Sequence, residues 1–261
     1  MSSKRIPLKI FGALVALWLV APTLVVIPLS FTGQRSLAFP PERWSLRWYE
    51  TFFSDRRWVD DLLNSLQIAA LVGVLATVAG TAASYALTRG RFRGRGAVGA
   101  LLIAPMLVPT VVFGVGVYAL FLQLRLVGTF TGFLIAHTVL ALPFVIIPVS
   151  SVLSRFDTTL ERAAAICGAS RARAFFSVTL PVIAPGLLSG FMFAFVTSFD
   201  EVVVSMFISS PYLETLPVRM YSSIQRDVDP TIAAAATLII CFTSALIAIA
   251  LLAQSRRRRV S

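Results

Sequence analysis

The stretch "TLERAAAICGASRARAFFSVTLP", Thr159 to Pro181, is a polar exception in an apolar chain. Its charged side chains are Glu161, Arg162, Arg171 and Arg173. The pattern predicts a helix, a turn and a second helix. Asp157 or Thr158 is placed to cap the first helix, and Glu161 falls near its N-terminus, where a negative charge is favoured. Ala163, Ala164 and Ala165 are strong helix formers. Gly168 is able to take positive φ without a Cβ penalty and so to end that helix. Ser170 is placed to cap the second helix, expected over Arg171–Leu180, and Pro181 and Pro185 mark the start of the next apolar run. The small Ala163–Ala164 surface lets another protein pack closely against it.

The rest of the chain explains where such a hairpin sits. Of 261 residues, 57% are hydrophobic, more than a soluble single domain buries comfortably. Uncharged apolar runs occupy Ile10–Phe31, Leu62–Leu87, Ala97–Leu124, Leu126–Leu153 and Pro230–Ser255. A sixth, Val182–Ser209, is apolar except for Asp200 and Glu201. Each is long enough to cross a hydrocarbon core of about 30 Å, which needs about 20 helical residues. The reading is an all-α membrane protein with six transmembrane helices in one domain over residues 1–261. The first run follows Lys4, Arg5 and Lys9 but is longer than the apolar core of a signal peptide, so it is expected to be a retained span.

Charge gives an orientation. The net charge is +11, yet its placement argues against nucleic acid. Basic residues sort into alternate connections: Lys4, Arg5 and Lys9; Arg89, Arg91, Arg93 and Arg95; Arg155, Arg162, Arg171 and Arg173; and Arg256 to Arg259. The positive-inside rule then puts both termini and the hairpin, about 155–181, in the cytoplasm. The segments about 32–61 and 210–229 are external. Trp44, Trp48, Tyr49 and Trp58 in the first suit a helix lying at the lipid headgroups.

The chemistry on offer is narrow. A phosphate-binding loop needs a Gly-Lys pair, and the only lysines, Lys4 and Lys9, do not follow a glycine. No serine-nucleophile or zinc-protease motif is present, and one histidine with two cysteines gives no metal-site spacing. Cys167 in the hairpin and Cys241 in the last run lie in opposite environments, which argues against a disulfide. Asp200–Glu201 is the clearest anomaly, because carboxylates inside a span usually face a cavity or a partner. Two acids in the outer half of a pathway would attract a cation; alternatively they cap a break in the helix or pair with an arginine across a subunit interface. His137 is a further candidate for the pathway, set against the commoner role of an interhelical hydrogen-bonder. Pro105, Pro109, Pro143 and Pro148 are expected to kink their helices.

The hairpin resembles the EAA loop of ABC-importer permeases, whose pattern is E-A-A, three residues, G, nine residues, then I-x-L-P. Here Ala163, Ala164, Gly168, Val178, Leu180 and Pro181 fall on that pattern. The motif glutamate position holds Arg162, with Glu161 one residue earlier. "AHTVLALPFV", "SFDEVVVSMF" and "SPYLETLPVRMYSSI" look like the second permease subunit of spermidine/putrescine-type importers. The resemblance implies a type I importer permease fold in the bacterial inner membrane, with the hairpin as the coupling helix seated on an ATPase. It also implies a sister permease, a separate ATPase pair that binds ATP and Mg, and a periplasmic substrate-binding protein. No cofactor is expected in this chain. Related permeases handle ferric iron, phosphonates, opines and amino-acid-like solutes. A self-sufficient channel or secondary carrier is the rival class, and the EAA loop argues against it.

Overall fold

The computed structural model describes residues 6–226 and 229–258. Lys4, Arg5 and Arg259, which enter the charge argument, lie outside the described residues. In chain order the helices are α1 Ile6–Ser30, α2 Arg47–Ser54, α3 Arg56–Arg89, α4 Arg95–Leu107, α5 Thr110–Leu124 and α6 Phe130–Arg155. They continue with α7 Thr159–Ile166, α8 Arg171–Ala174, α9 Leu180–Phe199, α10 Val203–Ile208, α11 Leu216–Arg226 and α12 Thr231–Arg258. The chain divides into two compact units, Met1–Asp60 with Arg219–Ile249, and Asp61–Val218 with Ala250–Ser261.

In the first unit, α1 is apolar all round beyond Lys9. Leu8, Phe11, Leu14 and Trp18 are between 59% and 75% exposed, an arrangement that suits lipid and not water. After α1 the chain turns back on itself: Gly33 N–H donates to the Arg43 carbonyl at 2.8 Å and Ser45 N–H to that of Phe31 at 2.7 Å. Ser30 Oγ and the Tyr49 hydroxyl lie 2.7 Å apart, fixing α2 to the end of α1. On α2, Trp48 and Phe52 are buried, and Phe52 packs its ring on Trp58 at 5.7 Å. The Arg219 guanidinium lies over that same Trp58 ring. Trp44, by contrast, is 67% exposed.

The second unit is organised around α6. Phe133, Ala136 and Leu140, continued by Ala141, Val145, Val149 and Leu153, recur every three or four residues and form its buried stripe. Lipid chains are as apolar as leucine, so burial alone does not drive helices together in a membrane; close packing by small residues does. Gly186 and Gly190, one turn apart on α9, present their bare faces to α6. A Cβ on Gly190 would stand 3.1 Å from Val145 Cγ1 and 3.2 Å from Val145 Cα. On α3, a Cβ on Gly80 would stand 2.8 Å from Val145 Cβ. Val145 is therefore gripped between glycines of two neighbouring helices.

Among the described residues, four helices are long and apolar enough to cross a membrane: Leu8–Ser30, Arg56–Arg89, Phe130–Arg155 and the continuous Arg171–Phe199. Three expected features differ. The run Ala97–Leu124 does more than kink at Pro109, as expected there: it breaks, and α4 and α5 meet at 105°. Pro109 has no N–H to continue the ladder, and the residue before a proline is pushed out of the helical region; Val108 accordingly has φ −80° and ψ 132°. The second hairpin helix does not end at Pro181. A π-turn over Phe175–Thr179 joins α8 to α9, and Leu180 N–H donates to the Phe175 carbonyl five residues back. The wide turn lets the helix run on past a proline that would otherwise break it. The run Val182–Ser209 breaks too, at Asp200–Val202 between α9 and α10.

Candidate functional site: a polar hairpin and an acidic helix break

The hairpin is built as local physics requires. The Asp157 carboxylate accepts from the Thr159 N–H at 2.9 Å and from its hydroxyl. Those bonds, with help from the Arg162 charge, hold the exposed Asp157 carboxyl below the usual carboxylate range. At the other end of α7, Gly168 has φ +83°. Its N–H donates to the Ala165 carbonyl, and the Ala169 N–H reaches back to Ala164, both at 3.0 Å. Those two bonds are a Schellman motif, which only a residue tolerating left-handed φ supports comfortably. Ser170 Oγ then accepts from the Arg173 N–H at 3.3 Å, capping α8.

Two contacts tie the hairpin down. The Thr179 hydroxyl donates to Glu161 Oε1 at 2.6 Å, linking α7 to the π-turn. The Tyr85 ring of α3 meets Phe175 edge-on at 5.5 Å. Between them lies a cavity of about 90 Å³ lined by Tyr85, Glu161, Ala165, Arg171 and Phe175 among others. The opposite face is open. Arg162, Ala163, Gly168 and Pro181 are exposed, and Ala164, Val178 and Leu180 are half-buried. Leu160 is exposed as well, and Ile166 at the tip is 88% exposed. Glu161 is thus engaged inside the chain, while Arg162 points its charge to solvent.

The second site is the break after α9. Asp200 ends α9, donating its N–H to the Val196 carbonyl at 2.9 Å. Its side chain is exposed, and no described residue hydrogen-bonds its carboxylate. Glu201 behaves differently. Its Oε1 accepts from the Val204 N–H at 2.7 Å, capping the first turn of α10. This is the helix-capping role that the sequence leaves open for the acidic pair. Glu201 also lines a cavity of about 380 Å³ with the α4–α5 elbow, Pro105 to Thr110, and with Leu140, Phe144 and Thr197. One carboxylate therefore both caps a helix and faces a cavity.

His137 does not line that cavity. It is 1% exposed, with Nδ1 2.9 Å from Ser198 Oγ and Nε2 3.0 Å from Ser205 Oγ. Ser198 and Ser205 were not singled out from the sequence. The signal was there: two hydroxyls flank the acidic pair in "SFDEVVVS", and an apolar span offers them one histidine to bond. Thr179 carried no such signal, since its partner is 18 residues away. Among the described residues, no group of His, Cys, Asp and Glu is arranged to hold a metal.

Residues 73–260 match the family described as binding-protein-dependent transport system inner membrane component. The chain belongs to that family. It is a permease subunit of an ABC importer, a bacterial inner-membrane protein. It is 34% identical over 238 residues to the spermidine/putrescine transport system permease protein PotC of Haemophilus influenzae, covering 91% of this chain and 92% of that protein. It is 36% identical to the putrescine transport system permease protein PotI of Escherichia coli, over 85% of this chain and 82% of that one. The sulfoquinovosyl glycerol transport system permease protein SmoH of Agrobacterium fabrum is 32% identical, over 76% and 71% respectively. Among solved structures, a chain of a bacterial ABC transporter that imports the acidic polysaccharide alginate superposes with a TM-score of 0.70 at 17% identity, covering 98% of both chains. The MetNI methionine transporter gives 0.60 at 19% identity, over 77% of this chain and 94% of that one. These likenesses establish the importer permease fold.

Proposed function

We propose that this chain is a permease subunit of a polyamine importer. It crosses the membrane six times as one domain, with α4 and α5 forming one bent span and both termini in the cytoplasm. The hairpin is the coupling element, seating Ile166, Ala163, Ala164 and Arg162 against a separate ATPase pair that binds ATP and Mg. A sister permease completes the path, and a periplasmic binding protein delivers the solute. The observation that carries the substrate class is the placement of Asp200 and Glu201. A carboxylate inside a span is costly, about 2.5–3.5 kcal/mol on insertion scales, and persists where a cavity or cation meets it. Capping Val204 orients Glu201 through Oε1, and the same side chain faces the cavity under the elbow. Asp200 is exposed, and no described residue pairs with its carboxylate. Two such groups offer a linear polycation successive counter-charges, and the polyamine names of the relatives agree with that chemistry.

Transport in reconstituted importers tests this. Uptake of labelled putrescine and spermidine is measured per assembled complex for wild type, Asp200→Asn and Glu201→Gln. At least one neutral variant should slow uptake by about tenfold or more, because removing a desolvated charge contact costs well over 1 kcal/mol. Wild-type rates in both variants would remove the acidic pair from the path. The rival is a non-amine solute, in line with SmoH; uptake of a sulfoquinovosyl glycerol with no response to polyamines would favour it.

A further inference from the structure

We infer that His137 is a positioning residue for transport: it clamps the two helix ends on either side of the acidic break and so sets where Asp200 and Glu201 stand. The geometry is specific. Ser198 lies in the last turn of α9 and Ser205 in α10, and both are buried. His137 reaches one with each ring nitrogen, at 2.9 and 3.0 Å. A neutral imidazole has one N–H donor and one acceptor nitrogen, and a serine hydroxyl serves as either. Both bonds are therefore satisfied in either tautomer. The Phe133 ring, one turn earlier on α6, lies 5.6 Å from the imidazole and backs it.

What the clamp holds is a three-residue interruption, Asp200 to Val202, with no helical ladder of its own across it. Within it, Glu201 caps Val204, one residue before Ser205. A rotation of α10 against α9 that moved Glu201 would pull Ser205 from the imidazole and leave a buried polar atom unpaired, which is costly. The histidine does not itself meet solute, since both nitrogens are taken and the ring is buried. It acts through the carboxylates. This inference rests on the reading of the acidic pair as part of the path, and its test is chosen to stand apart from that reading.

The complete importer is reconstituted with putrescine as probe, and KM and maximal uptake are measured per assembled complex. His137→Leu should raise KM about tenfold, the loss of roughly one well-made buried bond. Ser198→Ala with Ser205→Ala should do the same, and adding His137→Leu to that pair should change nothing further, as expected of groups acting as one unit. His137→Gln, which keeps a donor and an acceptor, should recover most of the loss. Where His137→Leu impairs assembly, the serine pair carries the test. A second readout ignores solute altogether. Spin labels on F193C and M206C, in a Cys167→Ser, Cys241→Ser background, report the distance across the break. Wild type and His137→Gln should give one narrow distribution, and His137→Leu a broad one. An unchanged distribution in His137→Leu overturns the clamp, whatever becomes of the acidic pair. A broadened distribution with wild-type KM, or fully additive effects of histidine and serines, overturns the positioning role.

Discussion

Replacing Gly168 separates the shape of the hairpin from the surface it presents. A Cβ at Gly168 meets no atom within 4 Å, so the chain itself offers no clash. The cost lies in the backbone, because φ is +83° and an L residue held in the left-handed region costs about 1–2 kcal/mol. The two bonds of the turn, Gly168 to Ala165 and Ala169 to Ala164, exist only at that φ. If the ATPase binds only the hairpin with its turn closed, the apparent Kd rises by up to the lost fraction, roughly 5–30-fold for that energy. Asparagine tolerates the left-handed region better than alanine does. The assay titrates the purified permease pair with labelled ATPase for wild type, Gly168→Ala and Gly168→Asn. The expected order of affinity is wild type, then asparagine, then alanine. An alanine variant with wild-type affinity would refute the requirement for the turn. An asparagine variant weaker than alanine would show that bulk at the contact, and not backbone shape, decides.

Gly190→Val pushes two methyl groups into Val145, where even a Cβ stands 3.1 Å from Cγ1. Overpacking of this kind costs about 1–3 kcal/mol, so the detergent-solubilised complex should melt at a clearly lower temperature, and an unchanged midpoint would count against close α6–α9 packing. Asp157 predicts a pH response. Its folded carboxyl is held low by the Thr159 bonds and by Arg162, so its contribution is full above the ordinary carboxylate pKa and is lost as pH falls through the lowered value. ATPase retention should thus stay level from neutral pH down to the ordinary carboxylate range and fall only below it. In Asp157→Asn that acid-side loss should be absent; the same acid profile in both proteins would acquit Asp157. Cys167 is exposed beside the hairpin turn, so an impermeant thiol reagent should miss it in intact cells and reach it in inverted vesicles lacking the ATPase. Labelling from outside would reverse the proposed orientation.

The hairpin was legible because its determinants are local. Gly168, Ser170 and Asp157 each act within three residues of themselves, and such spacing is visible in a linear string. The apolar runs were legible for the same reason, as lengths. What the string did not show was how far each proline interrupts its run. A proline at 109 breaks one run at 105°, while a proline at 181 is absorbed by a π-turn. The difference lies in what surrounds each residue and not in the residue. His137 shows the same limit. Its type suggested either a ligand contact or a buried bond, and only the fold brings Ser198 and Ser205, 61 and 68 residues away, to its two nitrogens.

The interruptions of the second unit differ in what they leave behind. At Val108–Pro109 the ladder ends because Pro109 has no N–H to give, and the elbow residues form one wall of the cavity that Glu201 also lines. At Phe175–Thr179 the ladder merely widens, and Thr179 uses its hydroxyl to hold Glu161 of the coupling hairpin. At Asp200–Val202 the ladder stops, but both edges are tied to α6 through one imidazole. Irregular backbone at membrane depth is tolerated where it is buried in protein or lines a cavity. Two of these three breaks share one cavity wall, and the third anchors the hairpin proposed to meet the ATPase. Helix α9 joins them: it continues without a break from the π-turn to Phe199. It thus spans the distance from the hairpin's anchor to the acidic break, and Gly186 and Gly190 pack it closely against α6 on the way.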